Sequence, residues 1–136
     1  MIKLIAGEKG SGKTKKMIDM ANEMVESTLG NVVFVDVNNK NMYNLKHDIR
    51  FVNIKEYNVN DMENLMSFIS GIMCRDHDID SIFIDGLLKL KSIEMNDILD
   101  NIDNIKSLSE KFDTNFVISL SCNEDNLPES LKELAS

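Results

Sequence analysis

Four stretches of this chain are apolar with no polar–apolar alternation: Ile2 to Ala6, Val32 to Val35, Ile82 to Ile84 and Phe116 to Leu120. A strand that is apolar on both sides needs cover on both faces, which is how strands of a parallel sheet read. Between these runs the apolar residues change to helical spacing. Met17, Ile18, Ala21, Met24, Val25 and Leu29 share one helix face, with Gly30 placed as a C-terminal stop. Met62, Leu65, Met66, Ile69, Ile72 and Met73 form a second face, preceded by Asn60 and Glu63 at the spacing of a capping box. Met95, Ile98, Leu99, Ile102, Ile105, Leu108 and Phe112 form a third, with Asp and Asn opposite. Pro128 opens a short terminal helix through Leu131 and Leu134, and Arg50 to Ile54 reads as a further short strand.

Strands separated by helices predict βαβ units, hence an α/β fold of three layers with a mostly parallel sheet of four to five strands. In such sheets ligands bind beyond the carboxyl ends of the strands. Gly7, Asp36, Asp85 and Ser121 all fall at predicted carboxyl ends. The asparagine-rich stretch from Asn38 to Asn44 reads as loop.

A length of 136 residues predicts a single domain spanning 1–136. No apolar run approaches the roughly 20 residues of a membrane helix, and the start of the chain lacks signal-peptide features, so a cytoplasmic protein is expected. A net charge of −8 with dispersed lysines argues against nucleic acid and favours a small phosphorylated ligand held locally. Cys74 and Cys122 lack metal-ligand spacing and read as reduced structural thiols; His47 and His77 read as solvated.

Gly7-Glu8-Lys9-Gly10-Ser11-Gly12-Lys13-Thr14 matches GxxxxGK[ST] in full and lies between a predicted buried strand and a helix start. Glycines let the backbone curl around an oxyanion so that successive N–H groups and the helix N-terminus point at phosphate. In this P-loop pattern Lys13 reaches the β and γ phosphates and Thr14 offers its hydroxyl to magnesium, while Glu8 and Lys9 are variable positions. Asp85, closing the run Ile82-Phe83-Ile84, has the Walker B pattern of a second group that holds magnesium, through coordinated water. Lys13 and Asp85 are therefore the expected catalytic pair, with ATP and Mg2+ as ligands. The position after Asp85, often a glutamate that activates the attacking group, is Gly86. Ser121 or Asn123 is placed to sense the γ-phosphate or to bond local backbone, and Asp36 either to act near the site or to form a turn. ATP is favoured over GTP because Leu88 stands where a GTPase glycine would follow Asp85, and no Asn-Lys-x-Asp guanine reader is present.

The layout resembles the P-loop core of the thymidine kinase family, within the wider class of RecA-like ATPases. Ser11-Gly12-Lys13-Thr14, Val32 to Asp36, Ile82 to Asp85 and Leu127-Pro128-Glu129 stand in the places of that family's motifs. The resemblance implies a three-layer P-loop NTPase fold and ATP binding. Gly86 and the absence of a zinc-bearing lasso depart from it and count against a thymidine pocket. The expected function is slow or partner-stimulated Mg-dependent ATP hydrolysis. The alternatives are a nucleotide-sensing interaction module without turnover and a small-molecule kinase with an acceptor site in the Asn38 to Asn58 segment. A protein partner or homo-oligomer is compatible with each.

Overall fold

The computed structural model describes residues 1–135. Five strands and four α-helices follow in the order β1 (Ile2–Gly7), α1 (Lys13–Ser27), β2 (Asn31–Asp36), β3 (Ile49–Asn53), α2 (Met62–Arg75), β4 (Ile79–Ile84), α3 (Met95–Phe112), β5 (Asn115–Ser121) and α4 (Glu129–Lys132). The strands form one sheet in the order β1-β5-β4-β2-β3, and every adjacent pair is parallel. The predicted α/β class is thus observed, with five strands and no antiparallel pair among them. Among the described residues no helix is long and apolar enough to cross a membrane.

The non-alternating strands are explained by cover on both faces. In β2, Val32 and Phe34 pack toward Met17, Ile18 and Ala21 of α1, together with Ile5, Phe83 and Val117. Val33 and Val35 join the opposite cluster, with Leu65, Ile69 and Met73 of α2 and Ile98, Ile102 and Ile105 of α3. One helix therefore covers one face and α2 and α3 the other, giving three layers. Phe34 and Phe83 are in register on neighbouring strands, with ring centroids 6.0 Å apart. Both are fully buried. Phe83→Ala is expected to destabilise the fold by about 3–5 kcal/mol, read as a lower urea midpoint; a loss under about 1 kcal/mol would contradict a core packed through this ring pair.

Some local expectations are corrected. The N-cap of α2 is Asp61, whose carboxylate accepts from the Asn64 N–H at 2.8 Å, so Asn60 and Glu63 do not form the box. A capping box does occur at α3, between Glu94 and Asp97. Helix α1 ends at Ser27, before Leu29, which is fully exposed instead of facing the core. Gly30 is not the cap either. It lies where the Asp78 carbonyl approaches, and a Cβ there would sit 2.6 Å from that oxygen. Arg50 to Ile54 is shifted by one residue, to β3, the sheet-edge partner of β2.

Candidate functional site

β1 leads into a tight loop whose conformation depends on glycine. Gly10 and Gly12 both have φ of 85°, in the left-handed region that side chains disfavour. The Ser11 N–H donates to the Glu8 carbonyl at 3.0 Å and closes a turn, and the Lys13 ammonium donates to the same carbonyl at 3.4 Å. Glu8 and Lys9 are exposed, as their variable places in the motif suggest.

Helix α1 starts at Lys13 with Gly12 as N-cap. No side chain caps it, and its first turn contains no acid. Lys13, Lys15 and Lys16 stand there instead. This is the unfavourable orientation for the helix dipole, which prefers negative charge at its N-terminus by about 0.3–1 kcal/mol per group. Uncapped N–H groups and like charges at one helix end form a cradle complementary to an anion. Lys15 is paired with Asp19 at 2.8 Å.

Across the loop, the β4 end supplies the acid. The Asp85 N–H donates to the Val35 carbonyl at 2.9 Å, which extends the strand and fixes the carboxylate. One Asp85 oxygen, Oδ2, accepts from the Thr14 hydroxyl at 3.0 Å. The other, Oδ1, accepts from the Ser119 hydroxyl of β5. The Thr14 hydroxyl and the Asp85 carboxylate thus lie side by side as oxygen donors of the kind magnesium takes, directly or through its bound water. Among the described residues no cluster of three His, Cys, Asp or Glu side chains is arranged to hold a metal. A cation here would need further oxygens from a ligand, which is the usual situation of magnesium at phosphates.

Asp36 closes β2 beside this group. Its side chain is 1% exposed. Oδ1 accepts from the Val37 N–H at 2.7 Å, whereas Oδ2 is buried and has no hydrogen-bond partner among the described residues. Burial pushes its pKa from 3.8 up to about 6; the Val37 N–H opposes this, the Asp85 charge adds to it, and Lys89 and Asn41 oppose it. An unsatisfied buried carboxylate oxygen costs on the order of 1–3 kcal/mol.

Gly86 explains the missing glutamate. Its φ is 80°, and a Cβ would lie 2.9 Å from Val37 Cγ2 and 3.5 Å from Asp36 Oδ1. The backbone at this point leaves no place for a side chain. Gly86→Glu is therefore expected to lower stability by about 1–3 kcal/mol. A variant that melts at the wild-type temperature would refute this.

The structure brings together Gly7 to Thr14, Asp85 and Asp36, all singled out from sequence. Ser121 is in register beside Gly7, while Asn123 caps its own turn through the Asp125 N–H at 2.9 Å. The hydroxyl that touches the acid belongs to Ser119, which the sequence reading passed over; it precedes Ser121 by one pleat and so points to the same face. Cys122 sits near Lys13, whose charge counters the upward push of burial on the thiol; Cys74 is exposed, so it is not a structural core thiol. His47 and His77 are exposed, and the His77 and Phe112 rings meet at a tilt with centroids 6.2 Å apart. A cavity of about 590 Å³ between α2 and α3, lined by Met66, Ser70 and Lys111, lies on the other helical layer, away from this constellation.

No protein-family model matches this chain, and no curated protein matches it either.

Proposed function

We propose that this chain is a P-loop NTPase that binds ATP with magnesium at Gly7 to Thr14 and hydrolyses it slowly or when stimulated by a partner. The observation that carries this reading is the lysine-bearing, uncapped start of α1 after two left-handed glycines, facing the Thr14–Asp85 pair. A chain of net charge −8 places Lys13, Lys15 and Lys16 together here, a local positive charge suited to an anionic ligand.

In this reading the loop N–H groups and Lys13 hold the phosphates, and Thr14 with Asp85 holds magnesium. The metal, when bound, supplies positive charge that offsets the charge developing on the phosphate oxygens. Ser119 fixes the orientation of Asp85 by donating to its second oxygen. Asp36, one strand away and with its Oδ2 unpartnered among the described residues, takes the proton of the attacking group in place of the glutamate for which Gly86 leaves no room. The resemblance to the thymidine kinase family supports the fold assignment and not its substrate.

Calorimetric titration of ATP in magnesium and in EDTA tests the binding. Magnesium-dependent saturation is expected, with a marked loss in Thr14→Ala; no heat from wild type under either condition sinks the proposal. Gly86 also favours a second reading, a nucleotide sensor without turnover. Single-turnover phosphate release separates the two: release lost in Asp85→Ala supports the enzyme, and no release from wild type supports the sensor.

A further inference from the structure

A cavity of about 530 Å³ opens beside Thr14, between one face of α1 and the turn after β2. Its volume falls in the range of small-ligand pockets, roughly 300–1,000 Å³. Ile18 forms an apolar floor, and the amide side chains of Asn22, Asn41 and Asn44 form polar walls. The wall is built in advance. Asn22 donates from Nδ2 to the Asn44 carbonyl at 3.0 Å and accepts from the Lys46 N–H at 2.9 Å, so one residue of α1 fastens the whole turn. Asn41 and Asn44 then present amides, which donate and accept at once. The two charges on the lining, Lys15 and Asp19, neutralise each other at 2.8 Å. Thr14 and Asn41 connect the cavity to the two acids: Thr14 bonds Asp85, and Asn41 lies close enough to Asp36 to favour its charged form.

We infer that this cavity is an acceptor site for a small, neutral, hydroxyl-bearing molecule, and that the chain transfers the γ-phosphoryl group of ATP to it. The inference rests on the proposed ATP–Mg site. Amide walls suit hydroxyls, which also donate and accept. An anionic acceptor has no unpaired cation in the lining to meet it, since Lys15 is paired with Asp19. In the transfer step the acceptor oxygen forms a bond to the γ-phosphorus. The bond from that phosphorus to the β–γ bridging oxygen breaks, and ADP leaves with the electron pair. The hydroxyl proton passes to Asp36. A molecule seated in the cavity also displaces water, which gives a reason for slow hydrolysis when no acceptor is present.

The test is ADP formation by the full chain with ATP–Mg and a panel of neutral sugars, polyols and nucleosides, beside their carboxylated or phosphorylated counterparts. Products are followed by phosphorus NMR as new phosphate esters. At least one neutral compound is expected to raise ADP formation tenfold or more and to give an ester, with its charged counterpart inactive. Asn44→Trp, which fills the cavity, and Asn41→Ala, which removes an amide, are each expected to lower that stimulation at least tenfold, with circular dichroism melts reporting on folding. If wild type binds ATP–Mg but no panel member stimulates, or if charged acceptors are preferred, the acceptor assignment is overturned while the nucleotide site stands. Stimulation retained in both variants places the acceptor elsewhere and overturns it too. Weakened ATP binding by Asn44→Trp without any acceptor means that the cavity takes the nucleoside of ATP itself, which also overturns it. Absence of ATP–Mg binding in wild type removes the underlying nucleotide site as well.

Discussion

Lys13→Ala is expected to weaken ATP–Mg binding by about 10- to 100-fold while leaving the fold intact. Among the described residues the ammonium is held only by the Glu8 carbonyl, at the long distance of 3.4 Å, so little stability depends on it. A phosphate oxygen in its place would make a charge-assisted hydrogen bond worth about 1.5–3 kcal/mol, and 1.4 kcal/mol is a factor of ten in affinity. The same substitution removes a positive charge from the uncapped N-terminus of α1, which the helix dipole disfavours there, so the melting temperature is expected to hold or rise slightly. Titration of ATP–Mg into both proteins, with a melt of each, checks this. Equal affinities would show that Lys13 does not face the phosphates. A lower melting temperature would show that its bond to Glu8 has structural weight.

The second large effect is expected at Asp36. Its pKa is raised from 3.8 to about 6, chiefly by burial. Across that window the unfolded chain gives up its proton before the folded chain does. The group therefore contributes stability that is fully present below about pH 3.8 and is lost as pH rises through about 6. A shift of about two units corresponds to about 3 kcal/mol at most. Asp36→Asn keeps the acceptor for the Val37 N–H but cannot ionise, so above pH 6 it is expected to be more stable than wild type, by about 1–2 kcal/mol once its own buried amide is counted. Turnover is expected to fall by about 10²- to 10⁴-fold, because the amide cannot accept a proton. Denaturation at pH 5 and pH 8, with ATP turnover at each, reads both. A variant that is less stable at pH 8 and equally active would make Asp36 a turn former and nothing more. Gain of stability with loss of activity is the mark of a group kept for chemistry at the expense of the fold.

The inner strands were legible because they carry apolar residues on both sides, as Val32 to Val35 illustrate, which is what cover on both faces of a parallel sheet asks for. The loop was legible because glycines at positions 10 and 12 meet a backbone need that is local in sequence. What stayed hidden depends on distant partners. Gly30 carries a helix-stop residue type, yet it is there for the Asp78 carbonyl, 48 residues away in sequence. Ser119 sits inside an apolar run, and only the placement of β5 between β1 and β4 brings its hydroxyl to Asp85. Asp36 could be read as a turn residue because its environment is set by strand order and not by its neighbours in the chain. The meaning of Gly86 changed most. A missing glutamate in the sequence is, in space, a position with no room for one, next to an acid whose buried Oδ2 has no partner among the described residues.

The most direct measurement of the central claim is a crystal structure of the chain with magnesium and a non-hydrolysable ATP analogue. ATP–Mg binding at this site predicts phosphates on the N–H groups of residues 9–14, the Lys13 ammonium moved from Glu8 to the β and γ oxygens, and the metal between Thr14 and Asp85. Crystals soaked to saturation that show the Gly7 to Thr14 loop unchanged, or the nucleotide bound elsewhere, would contradict it.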